Sequence, residues 1–309
     1  MSAVEGTVIP RPNRPAGRGP IARLWGWAKN PWARARFLWV VALGYVAWTL
    51  LPVAIAVIFS FNDGRSLSAW QGFSTRWYVG DVNSVWQNTE LRSALAHTFL
   101  LSGLVMAISV PIGTAFAIAL SRWRGRPAKA ANFFVLFAFV TPELALAIAL
   151  FLFFTNLFDA VGLGTGAQVL GLSVFELAYP VIIVRARLLS LGRQYEEAAM
   201  DLGASAVRAL VRVTLPLLAP AILASFAIVF ASTVDNFIIT RQLSIDASTQ
   251  TIAIKIYSSA RTGPLPSLNA LASITLVSST IAIALAAGFY RRLSRGSRDS
   301  RPVVLPPGV

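Results

Sequence analysis

Cysteine is absent from the 309 residues, so neither a disulfide framework nor a thiolate metal site is available to the chain. Histidine occurs once, at His97, and no grouping of it with carboxylates has the spacing of metal ligands. No nucleophile lies beside a base in a pattern that suggests hydrolysis. The string G-x-x-x-x-G-K-[ST] is missing, which leaves no visible means of cradling nucleotide phosphates. Charge is scarce as well. Only 13% of the residues are charged and 56% are hydrophobic, and the mean hydropathy of +0.64 is not that of a water-soluble domain.

What is present is a series of long apolar runs. Phe37 to Asn62 (26 residues) and Ser93 to Ser121 (29 residues) carry no charged side chain, and each exceeds the roughly 20 residues that cross a bilayer. Three further runs hold one acid each: Ala130 to Phe158 contains Glu143, Ala160 to Val184 contains Glu176, and Val213 to Thr240 contains Asp235. A last uncharged run ends at Tyr290, its helix beginning near Ser267 after Gly263, Pro264 and Pro266. The expectation is an all-α integral membrane protein with six transmembrane helices, at about 37–61, 94–120, 132–157, 165–187, 217–239 and 267–290. The long basic lead of the first span favours an uncleaved anchor over a signal peptide. His97, near the start of a span, is expected at the interface.

The net charge of +14 would suit nucleic acid, but its placement argues otherwise. Assigned to alternate sides of the six spans, 21 of the 27 Lys and Arg residues fall with the termini and 6 fall opposite. That asymmetry predicts cytoplasmic N and C termini and no nucleic-acid partner. The tails at 1–36 and 291–309 are expected to be disordered, with little to bury. The 63–92 loop carries Trp70, Trp77, Tyr78 and Trp86, which suit a headgroup boundary on the far side.

The cytoplasmic segment 191–216 is unlike an ordinary connector. Gln194 to about Leu202 favours helix, Gly203 can take the left-handed conformation that ends it, and Ser205 can cap a second short helix. Ala198, Ala199, Leu202 and Leu210 give this helix-turn-helix an apolar side that no bilayer covers, and such a surface asks for a partner cleft.

The same residues carry a resemblance. Glu197-Ala198-Ala199, then Gly203, then Val213-Thr214-Leu215-Pro216 resembles the signature E-A-A-x3-G-x9-I-x-L-P of binding-protein-dependent ABC importer permeases, with Val in place of Ile. The resemblance implies the type I importer permease fold, with a coupling helix seated in a groove of a separate ABC ATPase subunit. It assigns that contact to Glu197, Ala198, Ala199, Gly203, Leu215 and Pro216. It further implies that ATP and Mg are bound by the partner ATPase, that this chain needs no cofactor and is not itself an enzyme, and that it lies in the bacterial inner membrane. The implied partners are a second homologous permease, as a heterodimer, and a periplasmic solute-binding protein.

Further strings resemble the spermidine/putrescine branch: Ser60-Phe61-Asn62, Thr141-Pro142-Glu143, Thr233-Val234-Asp235-Asn236-Phe237, Ile254-Lys255-Ile256-Tyr257 and Asn269-Ala270-Leu271-Ala272. The chain departs from that branch at Asn236, where relatives often place a second acid, and at Arg241-Gln242. The branch implies a polyamine as solute; permeases for opines, other small organic solutes and ferric iron share much of the pattern. Acids inside membrane spans are costly and tend to face a water-filled path or a partner. Glu143, Glu176 and Asp235, with Asn236, are therefore the candidate pathway residues. For Glu143 a structural alternative is the capping of backbone N–H groups freed at Pro142. An ion-coupled secondary transporter is the competing class, and the segment at 191–216 discriminates against it.

Overall fold

The computed structural model describes residues 35–298 except 67, 68, 124, 159 and 263–265. The tails expected at 1–36 and 291–309 lie mostly outside those residues. Where they are described they are helical, since the first helix already includes Ala35 and the last runs through Arg298.

Helix α1, Ala35–Phe59, contains Pro52 and is apolar enough from Leu38 onward to cross a bilayer. Its end leads into a loop built around Asn62. The Asn62 amide donates to the carbonyls of Ser66 and Ala69 and accepts from the Gln71 N–H, and an isolated antiparallel bridge joins Asn62 to Phe73. Trp77 is not a headgroup anchor as the sequence suggested. Its ring is buried, Nε1 donates to the Asn62 carbonyl at 2.6 Å, and the Arg76 guanidinium lies 4.8 Å from the ring centroid. Trp70 and Trp86 remain exposed, as a boundary position requires.

Helix α2 spans Thr89–Arg122. Asn88 caps its first N–H groups, Glu90 lies in its first turn and Arg122 in its last, which matches both ends of the helix dipole. At 1.5 Å per residue its length is about 50 Å, so it projects beyond a hydrocarbon core of about 30 Å. His97 is buried in this helix and hydrogen-bonded through Nε2 to Gln168.

The third expected span is broken. Helix α3, Arg126–Val140, and helix α4, Glu143–Asn156, meet at 105° across Thr141-Pro142. Proline lacks the N–H that a continuous helix needs and drives the preceding residue to extended backbone, as Thr141 adopts (φ −60, ψ 129). The fourth span comprises α5, Thr165–Glu176, and α6, Ala178–Leu191, which together are long and apolar enough to cross. Helix α7, Gln194–Asp201, and the four-residue α8, Ala206–Ala209, follow, and a π-turn at Leu210–Thr214 leads into α9, Leu215–Asp235. The short α10, Ile238–Leu243, a 3-10 turn at Ala247–Thr249, α11, Ile252–Thr262, and α12, Pro266–Arg298, complete the described chain. Five continuous spans and the bent α3/α4 pair make six.

Helices α2, α6 and α9 pack on one another, and α12 packs on α9. Small residues set the spacing, as expected where lipid supplies no hydrophobic drive between helices and packing must do so. At Gly113 a Cβ would lie 2.5 Å from Pro180 Cγ, so α2 and α6 approach there as only glycine permits. Gln168 fastens the far end: its amide donates to the carbonyls of Thr240 and Thr249, both at 2.9 Å, leaving its oxygen to accept from His97. Because that oxygen can only accept, His97 Nε2 must carry a proton.

Candidate functional site

The segment after α6 folds as local chemistry dictates. Gly192 ends α6 with φ +69, and α7 follows with Glu196 and Glu197 in its first turn, where the helix dipole favours acids. Gly203 has φ +87. Its N–H bonds to the Met200 carbonyl at 2.9 Å, and the Ala204 N–H reaches back to Ala199 at 3.0 Å. This is the paired bonding of a left-handed helix end, and any residue with a Cβ is strained there. Ser205 then caps α8 by accepting from the Arg208 N–H at 3.3 Å.

The result is a helix-turn-helix that exposes several apolar side chains. Leu202 is 91% exposed, Val207 and Met200 are exposed, and Ala198 and Glu197 lie beside them. Leu215 and Pro216 stand in the first turn of α9. Pro216 explains the π-turn before it. Its ring crowds the carbonyl four residues back, and the preceding N–H, of Leu215, bonds five back to Leu210. The helix-turn-helix is also tied to α2, for Glu196 pairs with Arg122, and Arg193 donates to the Ser121 carbonyl at 3.2 Å.

The acids within the spans occupy three different environments. Glu143 begins α4 but caps no backbone group; its Oε1 accepts from Asn236 Nδ2 at 2.7 Å. Asn236 interrupts the fifth span after α9, and its own oxygen accepts from the N–H groups of Ile239 and Thr240. Two helix breaks, at Pro142 and at Asn236, are thus joined by one hydrogen bond. Glu176 is 0% exposed: Oε1 accepts from Ser232 at 2.8 Å and Oε2 has no partner among the described residues. In this conformation its carboxylate faces α9 and no open route. Asp235, the last residue of α9, is exposed.

Gln168 and Ser232 escaped the sequence reading. A lone amide or hydroxyl in an apolar run is a weak signal. Its meaning depends on a partner about 60 or 70 residues away, as the pairs 168/97 and 232/176 show.

No group of three or more metal-ligating side chains occurs among the described residues.

Residues 109–295 match the family described as binding-protein-dependent transport system inner membrane component. The chain is similar to the putrescine transport system permease protein PotI of Escherichia coli K12, with 30% identity over 77% of this chain and 85% of that one. It is 31% identical to the spermidine/putrescine transport system permease protein PotC of the same organism, over 81% of this chain and 92% of that one. Among solved structures, a bacterial ABC transporter that imports alginate matches with TM-score 0.67 at 18% identity, covering 87% of this chain and 99% of that one. The methionine transporter MetNI matches with TM-score 0.53 at 16% identity, over 65% and 93%. The fold is that of importer permeases. With six spans, a matching family model and relatives aligned over most of its length, this chain belongs to the binding-protein-dependent transport inner membrane components, as a permease subunit.

Proposed function

We propose that the chain forms half of the membrane pathway of an ATP-driven polyamine importer. Putrescine or spermidine would be delivered by a periplasmic binding protein and ATP hydrolysed by a separate subunit. The observation that carries the importer reading is the helix-turn-helix at 194–209, which exposes apolar side chains while its turn is fixed by Gly203 and Ser205. A rigid element of this kind, seated in an ATPase cleft, converts closure of the ATPase into rotation of α6 and α9, to which it is joined. Through Glu196 and Arg122 the same movement would reach α2. Glu197, Ala198, Ala199 and Gly203 make the contact in this reading, while Leu215 and Pro216 set the angle at which it enters α9.

Polyamine as solute is favoured by PotI and PotC and by the chemistry of the two helix breaks. Glu143 and Asp235 offer carboxylates to a cation, and Asn236 holds Glu143 in place. Glu176 would join them only after α5 and α9 separate. The ATP and Mg sites belong to the partner, since the phosphate-cradling string is absent from this sequence. The second permease is a homologue, as a heterodimer, and both termini are cytoplasmic, by the asymmetry of Lys and Arg.

ATP-dependent uptake of labelled putrescine and spermidine into vesicles holding all four components tests the proposal. Uptake that is present in the wild type and lost with Gly203→Asp supports it. A wild-type system that ignores both polyamines, while another loaded binding protein stimulates its ATPase, removes the polyamine and keeps the permease.

A further inference from the structure

An open groove of about 390 Å³ lies between α3 and α6, bordered by Ala131, Val135 and Ala138 of α3, Val174 of α5, and Ala178 and Val181 of α6. Every residue lining it is apolar. One end is different in kind. Arg185, on the same helical stripe as Ala178 and Val181, donates to the Asn132 side chain across the two helices. Lys129 lies one turn before Asn132, and Arg126 begins the helix.

Among the described residues no acid pairs with these cations. Neither α3 nor α6 contains Asp or Glu, and among the described residues no ion pair includes Arg126, Lys129 or Arg185. Arg185 Nε is buried without a partner. The cations stand at the end of the molecule that holds α7, because α2 ends at Arg122 against Glu196 and α3 starts four residues later. The ends of spans reach the headgroup level, and this end is the one that carries the helix-turn-helix.

We propose that this groove binds an acidic phospholipid, with an acyl chain between α3 and α6 and the phosphate held by Arg185 and Lys129. The apolar wall suits a hydrocarbon chain, and unanswered cations at headgroup depth select negative charge. A zwitterionic headgroup would bring its own cation against Arg185, and a second permease would have to bring a carboxylate. A cationic solute would be repelled there, so the groove lies off the polyamine route, and the proposal does not depend on which solute is carried.

The test is native mass spectrometry of the assembled transporter, purified from nanodiscs that contain phosphatidylcholine and phosphatidylglycerol. The wild type should retain phosphatidylglycerol in preference. Arg185→Gln and Lys129→Gln should each lower that retention by about fivefold, the worth of one cation beside an anionic surface. Ala138→Trp, which fills the groove and leaves every charge in place, should lower it too. Assembly with the ATPase, checked for each variant, separates loss of lipid from misfolding. Retention that survives the double charge variant overturns the proposal. So does a photoreactive residue at Val135 that captures the second permease, which would make the groove a subunit interface.

Discussion

The helix-turn-helix at 194–209 and the polar pair at Glu143 and Asn236 both interrupt long helices, by opposite means. The first is closed by bonds within a few residues: Gly203 to Met200, Ala204 to Ala199, Arg208 to Ser205. Its outward apolar side chains, Leu202, Val207 and Met200, stay exposed. The second has its side chains occupied by each other, across a separation of 93 residues, and binds two breaks of the bundle together. One region presents apolar side chains outward. A break satisfied locally exports its surface, whereas a break satisfied at long range reports the relative position of the spans that carry it.

Substitutions can sharpen that contrast. The largest effect is expected from Gly203→Asp, which forces a Cβ into φ +87. Uptake should fall at least a hundredfold while membrane insertion persists, and Gly203→Asn, which tolerates that backbone better, should restore part of it. Insertion lost together with uptake would mean that the turn serves folding and not coupling. Next is Asp235→Asn, which should reduce polyamine uptake by about tenfold with assembly intact, the cost of one exposed counter-charge. Wild-type uptake by the inserted variant would strike Asp235 from the pathway.

Glu143 separates positioning from charge. Glu143→Leu leaves the Asn236 amide without its acceptor and should cost about 1–3 kcal/mol in thermal unfolding of the solubilised complex. Glu143→Gln keeps an acceptor, so it should lose uptake with little loss of stability; equal instability in both variants would deny Glu143 a role in transport. The smallest effect lies outside the membrane. The Asn83 N–H and then the Arg76 guanidinium, at 2.8 and 2.7 Å, hold the Asp81 carboxyl below the usual carboxylate range. Because the folded value is depressed, its contribution is complete above the ordinary carboxylate value of about 4 and fades as pH falls through the folded one. Acid melting of the 60–88 loop, followed by Trp77 fluorescence, should therefore shift to higher pH in Asp81→Asn.

The sequence made the local features legible and left the distant ones hidden. Gly203 and Ser205 declare their geometry because a positive φ and an N-cap depend on the residue itself. Pro142 declares a break for the same reason, but the 105° turn depends on what packs against both halves. Trp77 looked like a boundary residue because aromatic composition does not reveal that Asn62 offers it a carbonyl 15 positions earlier. Glu176 and Asp235 look alike as single acids in apolar runs, and only the fold shows one sealed against Ser232 and the other open. The helical run past Tyr290 was masked by its charge, since Arg291 and Arg292 end a hydropathy window without ending a helix.

The π-turn at Leu210–Thr214 sets a phase. One residue more than an α-turn advances everything beyond it by about 100° around the helix axis. The side of α8 that faces outward and the side of α9 that faces the bundle are therefore not the same stripe continued. Each keeps its own apolar face although the backbone between them never leaves the helix. Proline at 216 thus works as a clocking key: it fixes the angle between the side of α8 that is exposed and the side of α9 that packs on α2 and α6.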